Sequence, residues 1–512
     1  MSTLTSAPTD TDHIFDVAIV GLGPVGACLA NLLGLKGVST LVLERETNAY
    51  HLPRAVHFDD EVMRVFQAIG LADEIEPTTR CNPGMRFVDA QGALLLDWPR
   101  PQGESPQGWQ ASYRFHQPDL ERILRAGLAR FPSVEVRTRC DVFAFTDDGA
   151  SVEVRYEELG TGTPRTVRAR YVVGCDGGRS LVRRFMGSSL EDLGFHERWL
   201  VLDVMLRRDK PELGDHTIQY CDSARPATYV RGPGDRRRWE ITVHPHEDAA
   251  TMTTPRKVWE LLAPWLKPEE AELERAAVYT FHSAVARQWR AGRLLVAGDA
   301  AHLTPPFMGQ GMCSGVRDAA NLAWKLEAVV NGHAADALLD TYQSERAPDA
   351  RAYIETAMRL GGLINTCNTE AALASAFRDE DGVARLKSRV PQLGAGLAAG
   401  RADRAGQRIP QPRLADGRRL DEAVGYGFAL LARESLWRAA SEGVRRGFTE
   451  AGIAVLTETD GPALAALLDE ADASALLVRP DRYVAGAAHD VAELAALSQA
   501  LAPYRPTHAS AA

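Results

Sequence analysis

Cysteine is scarce and scattered in this 512-residue chain. Cys28, Cys81, Cys140, Cys175, Cys221, Cys313 and Cys367 form no CxxC pair, and their number is odd. That fits buried thiols in a reducing cytoplasm better than a disulfide framework or a zinc site. Long apolar runs are missing as well. No stretch approaches the roughly 18 residues that a membrane span needs, so none is expected. Excess positive charge is absent, and the net charge of −10 argues against nucleic-acid or anionic-membrane partners. The opening "MSTLTSAPTDTD" lacks a basic-then-apolar leader pattern and reads as a disordered tail. There is no internal repeat, no metal-ligand cluster and no convincing nucleophile triad.

What is present suits a large globular protein: 45% apolar and 25% charged residues in a chain too long for one core. Two or three domains are expected. "FDVAIV" (15–20), a small-residue helix and "TLVLE" (40–44) make a βαβ unit of about thirty residues. A helix ending near Gly70 comes next, then a hairpin turning near Ala90 to Gly92 and a Pro/Gly/Ser-rich loop at 99–112. Leu120, Ile123, Leu124 and Leu128 mark one face of an amphipathic helix. Three strands are expected over 134–170 and four more over 199–243. Helices should run to about residue 366. Residues 390–420, rich in Gly, Ala, Pro and Arg, read as a linker to a small α/β domain.

Three motifs carry chemistry. Gly21, Gly23 and Gly26 follow a strand and open a helix, and Glu44 ends the next strand. In that setting the glycines permit a tight turn and close approach to a pyrophosphate, while Glu44 would accept from a ribose hydroxyl. "YVVGCDGGRSLVRR" (171–184) takes a strand into Asp176 and a short basic helix; alone it could be a solvated turn. In "AGDAAHLTPPFMGQG" (297–311), Asp299 ends a strand where a carboxylate can accept from a ribityl or ribose hydroxyl. Pro305 and Pro306 stiffen the loop, and Gly309 and Gly311 free its amides to face an anion. His302 reads as structural, and Met308 and Met312 as packing residues.

These motifs, in this order, resemble the single-component flavoprotein aromatic hydroxylases of the para-hydroxybenzoate hydroxylase type, over about residues 14–360. The segments "PRAVHFDDEVMRVFQAIGL", "QYCDSARPATYVRGPGDRRRWEI" and "GQGMCSGVRDAANLAWKL" resemble the branch acting on 3-(3-hydroxyphenyl)propionate. The resemblance implies an α/β fold. A Rossmann-like FAD-binding domain (14–190 and 275–390) would carry an inserted β-sheet substrate domain (191–274). "LLVRPDRYVAG" resembles part of a thioredoxin-like C-terminal domain (412–505), expected to be structural because it lacks CxxC.

The resemblance also implies FAD as cofactor, NADH or NADPH as co-substrate, O2 and a small aromatic substrate, a cytoplasmic location and a homodimer. Its chemistry is monooxygenation through a flavin C4a-hydroperoxide. Gly21, Gly23, Gly26, Glu44, Arg45, Arg54, Gln117, Val142, Asp176, Asp299, Gly311 and Met312 are the implied cofactor residues. Pro305, Gly309 and Gly311 would flank the reacting ring, with His57 and Tyr220 as guesses for the phenol base. Alternation places Tyr229 and Arg231 on one face of a strand, and with Trp239 and Phe307 they are the substrate candidates; Arg231 would pair with a carboxylate. The alternatives are a larger polyketide or resorcinol-type phenol and a flavin-binding module without turnover. A flavin-dependent halogenase is disfavoured because no WxW occurs.

Overall fold

The computed structural model describes residues 13–48, 54–366, 377–378, 383–399 and 404–500. The N-terminal tail, Cys367 and the last residues of the expected C-terminal domain lie outside them.

The first sheet is the nucleotide-binding one. Parallel strands Leu294–Val296, Thr163–Gly174, Ile14–Val20, Thr40–Glu44 and Val134–Thr138 lie side by side in that order. The central strands carry buried apolar runs, as parallel strands require, while the edge strand Val134–Thr138 is part exposed. The helices Pro24–Leu35 and Gly311–Val330 pack together against them. Gly311–Val330 is buried on nearly every side, in keeping with its small and apolar residues. Where the sequence predicted three strands over 134–170, the structure has four. Arg139, at φ 58°, breaks one run into Val134–Thr138 and Cys140–Asp147.

A second, ten-stranded sheet draws on more of the chain than 191–274. Its middle is Ala271–Ala286, Leu190–Leu206, Arg236–Thr242, Ala227–Arg231 and Thr217–Cys221, all antiparallel. The expected hairpin, Gly84–Asp89 with Leu94–Pro99, extends it from far back in the sequence by pairing parallel to Thr217–Cys221. One face of the sheet packs on Phe307, Met308 and helix Thr341–Thr366. Helix Pro255–Leu262 covers the other.

The C-terminal unit is thioredoxin-like. Strands Ala429–Ala432, Ala454–Thr457, Ala475–Val478 and Val484–Ala488 form a sheet in the order second, first, third, fourth. The first pair is parallel and the other two pairs are antiparallel, with helices between and after them. It holds no cysteine.

The described residues of the stretch 390–420 are packed and not a free linker. Arg408 bridges to Tyr483, Gln411 N–H donates to Pro106, and Ile409 and Leu414 are buried. The segment is a strap tying the C-terminal unit to the nucleotide domain. Arg408 in this stretch finds the buried Glu61 at 2.9 Å, whereas Arg413 and Arg418 pair with exposed acids.

The "RPDRY" stretch docks that unit through charge. Arg479 makes two hydrogen bonds to Glu345, at 2.9 and 2.8 Å, and pairs with Asp481 at 2.7 Å. Lys325 completes Glu345 at 2.7 Å, and Asn321 and Trp324 donate to Asp481. Arg64 and Arg482 share Asp421. Burial pushes the Glu345 carboxyl up, but Arg479 and Lys325 outweigh it and hold it well below the usual range. Burial also takes Lys325 down to about 8 despite Glu345. Removing one partner of such a cluster strands a buried charge. Arg479→Met should therefore cost about 3–5 kcal/mol in denaturant unfolding. A loss under about 1 kcal/mol, the worth of an exposed pair, would show that the cluster does not hold the interface.

Candidate functional site

At the end of the first strand Gly21 takes φ 99°, and a Cβ there would lie 2.5 Å from the Cys175 carbonyl oxygen. A Cβ at Gly26 would lie 2.0 Å from the Gly21 oxygen, whereas one at Gly23 meets nothing within 4 Å. The turn is closed on its protein side and open on the other. Gly23 caps helix Pro24–Leu35, whose first turn has no acid, so its positive end is free for an anion. Glu44 accepts from Leu22 N–H at 2.6 Å and Glu46 N–H at 2.8 Å. Each oxygen keeps a lone pair for a ribose hydroxyl. Arg45 is exposed beside it, and Val142 is buried in the adjoining hairpin.

Gln117 holds the segment opposite. Its carbonyl oxygen accepts from the amides of Arg54 and Ala55, both at 2.7 Å, and its amide donates to Glu121. Arg54 is exposed, and its carbonyl accepts from Arg238.

The two aspartate motifs are joined by a residue the sequence did not single out. Arg183 donates to Ala300 O and to Gly178 O, each at 2.7 Å. Asp176 accepts from Leu181 and Val182 N–H, while its Oδ1 is enclosed without a partner. Asp299 sits in the one-turn helix Gly298–Ala300, is exposed and accepts no hydrogen bond among the described residues. Surrounding protein pushes its carboxyl up, against the pull of His302 and Arg54. An unpartnered carboxylate beside an open glycine turn fits the hydroxyl-rich chain of a dinucleotide such as FAD. His302 is structural, as expected: it is fully buried and bonds Asp318 at 2.7 Å. Asp318 also accepts from Gly298 N–H and Arg346.

The loop after Asp299 turns twice. Pro306–Met308 form a single helical turn, and Gly309 at φ 64° reverses the chain before helix Gly311–Val330. Gly309 N–H donates to Pro306 O, so it is not among the amides left for a ligand. The unspent ones belong to the helix's first turn, at Gly311 and Met312, which has no intrahelical acceptor.

His57 is buried against that loop. Its Nδ1–H donates to Gly309 O at 3.2 Å, and Nε2 accepts from the Ser112 hydroxyl at 2.7 Å, a tautomer set by these partners. Burial, then the nearby Arg100, drives its pKa down to about 4. Both nitrogens are spent, so His57 positions Gly309 and is no free base.

The ten-stranded sheet separates the substrate candidates. Phe307 meets Trp199 and Phe195 edge to face, at centroid distances of 5.5 and 5.7 Å. Trp199, Glu240, Thr228, Gln219 and Cys221 share that inner face. Tyr229 and Trp239 lie on the outer face, and Tyr220 packs there against Trp265. Arg231 is spent on Asp215 at 2.8 Å. Alternation grouped Tyr229 with Arg231 correctly. It could not say which face the covering helix would claim.

Two inner groups escaped the sequence reading. Glu240 is buried, with Arg238 3.7 Å away and no hydrogen bond among the described residues, and burial raises its pKa. Arg100 stacks 4.1 Å over the Trp98 ring, its Nη1 enclosed without a partner. Burial brings its pKa down to about 10. The Trp-Pro-Arg spacing, which puts Trp98 and Arg100 on one face of a strand, was the available signal.

His57 makes a pH prediction. Its folded pKa lies below the unfolded value near 6.5, so the unfolded state binds the proton more tightly. Stability should be unaffected above pH 6.5 and fall between 6.5 and 4, by about 3 kcal/mol from this group. His57→Gln should flatten that part of the unfolding-versus-pH curve. An unchanged curve would show that His57 titrates normally.

The family model for an FAD binding domain matches residues 15–357. A protein of Rhodococcus jostii named a probable NADH-specific resorcinol 4-hydroxylase is 41% identical, over 98% of this chain and 97% of its own. A 3-(3-hydroxy-phenyl)propionate/3-hydroxycinnamic acid hydroxylase of Mycobacterium sp. (strain JLS) is 38% identical, over 94% and 91%. Among solved structures, aklavinone-11 hydroxylase with FAD and aklavinone superposes with a TM-score of 0.77 at 26% identity, over 96% of this chain and 99% of that one. Glycine turn, paired aspartate motifs and relatives agree: the chain belongs to the FAD binding domain family, as an FAD-dependent aromatic hydroxylase.

Proposed function

We propose that this protein hydroxylates a small phenolic acid of the 3-hydroxyphenyl-propionate or -cinnamate class, with NADH as the reductant. The observation that carries the reading is the junction of two surfaces. The loop of Pro305 to Gly309, directly after the open Asp299 carboxylate, packs Phe307 into an aromatic wall of Trp199 and Phe195. A cofactor held by Asp299 would therefore meet a flat apolar enclosure suited to an aromatic ring. A resorcinol-type phenol is the second reading, favoured by the Rhodococcus relative.

FAD, when bound, supplies the redox chemistry, taking electrons from NADH and activating O2. The chain supplies position and field. Gly23 and the start of helix Pro24–Leu35 would hold the pyrophosphate, Glu44 the ribose and Asp299 the ribityl hydroxyls. The amides at Gly311 and Met312 would face negative charge on the ring system. The buried aromatic wall excludes water. No side chain is assigned as phenol base: His57 has both nitrogens occupied, and Tyr220 lies on the far face of the sheet. A homodimer is the assembly this reading carries, and light scattering reads it.

The purified protein should be yellow, and a phenol should accelerate its NADH oxidation with O2 consumed and a dihydroxylated product formed. A yellow protein that never consumes NADH would overturn the reading in favour of a binding module. Gly309→Val places a branched side chain at φ 64° with its Cβ 3.0 Å from His57 Cβ. It should lower coupled turnover on the order of tenfold or more, diverting NADH electrons to free peroxide. Normal coupling in that variant would remove the loop from the mechanism.

A further inference from the structure

The inner face of the second sheet ends in a cation that nothing neutralises. Arg100 follows strand Leu94–Pro99, and its guanidinium carbon lies over Trp98, 4.1 Å from the ring centroid. Among the described residues its side chain makes no hydrogen bond and no ion pair, and Nη1 is sealed from solvent. The acids within its field are committed elsewhere. Asp59 is held by Arg317 and by Val62 N–H, and Asp60 accepts from the Ser105 hydroxyl at 2.7 Å. His57, on the same side, is neutral. Arg100 is half-buried, and a guanidinium nitrogen enclosed without a partner is costly enough that a ligand completing it is the expected compensation.

Its surroundings say what the ligand is. Trp98 belongs to the same apolar cluster as Phe307, Met308, Trp199 and Tyr353. Arg100 acts electrostatically on both His57 and Tyr353. His57 in turn touches Gly309. The cation therefore borders the aromatic enclosure beside the loop that faces the cofactor. Arg231, which the sequence offered as the carboxylate partner, is already paired with Asp215, an acid it shares with Arg80. We propose that Arg100 is the anchor for the substrate's carboxylate, taking it in a forked pair of hydrogen bonds while the aromatic ring lies against the Phe307 and Trp199 wall. This rests on the hydroxylase reading above and commits it to an acidic aromatic.

The experiment is a titration of the holoenzyme's flavin absorbance with 3-(3-hydroxyphenyl)propionate, with its neutral alcohol 3-(3-hydroxyphenyl)propanol, and with resorcinol. Wild type should bind the acid more tightly than the alcohol. In Arg100→Met the ratio of acid to resorcinol affinity should fall about tenfold to a hundredfold, the worth of a charged hydrogen-bonded pair. Arg100→Lys, which keeps the charge but not the fork, should fall between the two. Flavin content reports whether each variant has folded. If Arg100→Met fails to fold, the wild-type preference for acid over alcohol decides. Three results overturn the proposal: an unchanged ratio, no wild-type preference for the acid, or a loss confined to the KM for NADH. If resorcinol alone is hydroxylated, the carboxylate anchor falls and the hydroxylase stands. If no phenol stimulates NADH oxidation, the hydroxylase reading itself falls.

Discussion

Glu61 is the point on which three parts of the chain converge. Its carboxylate accepts from Arg317 at 2.7 Å, from Arg408 at 2.9 Å and from the Tyr483 hydroxyl at 2.6 Å. Arg317 belongs to the helix that starts at the flavin-facing loop, Arg408 to the strap and Tyr483 to the thioredoxin-like unit. Burial pushes Glu61 up, but Arg317 and Arg408 outweigh it and keep the carboxyl ionised. A buried anion with three donors has few alternative arrangements, so it fixes the relation of those parts more sharply than apolar packing would. Arg317 also reaches Gln310 and Asp59, the residues just before the helix and next to His57. Placement of the loop is thus tied to docking of a unit that contributes nothing to the cofactor turn.

The C-terminal unit has a thioredoxin-like strand order and holds no cysteine. Its conspicuous sequence feature, "RPDRY", faces inward and supplies partners for Glu345, Asp421 and Glu61. Arg482 sits at φ 67°, a conformation costly for a side chain other than glycine. It is held there by Asp421 and by the carbonyls of Gly425 and Gly427.

Much of this was legible in the sequence because it is local. The glycine spacing, the two aspartates and the covered strands each follow from backbone geometry over a few residues. The expected βαβ unit, the hairpin near Gly92 and the face of Leu120, Ile123 and Leu124 are all present. What was not legible depends on partners distant in sequence. Arg408 in a glycine- and alanine-rich stretch looks solvated until Glu61, far away in the chain, is seen beside it. Tyr229 and Trp239 fell on the outer face because helix Pro255–Leu262 claims that side, a choice that period-two alternation cannot contain. Arg100 was passed over for the opposite reason. It falls in a Pro/Gly/Ser-rich stretch, and only the return of the hairpin to the ten-stranded sheet brings it to the site.

The two faces of that sheet differ in what they must satisfy. The outer one is an apolar core in which Tyr229, Trp239 and Trp265 interlock. The inner row of Gln219, Thr228 and Glu240 crosses the middle strands, with Thr228 bonded to Gln219 and Glu240 left without a hydrogen bond among the described residues. Changes along this row leave the opposite layer untouched. One scaffold can therefore exchange its ligand preferences by single replacements on one side while its folding energy is banked on the other.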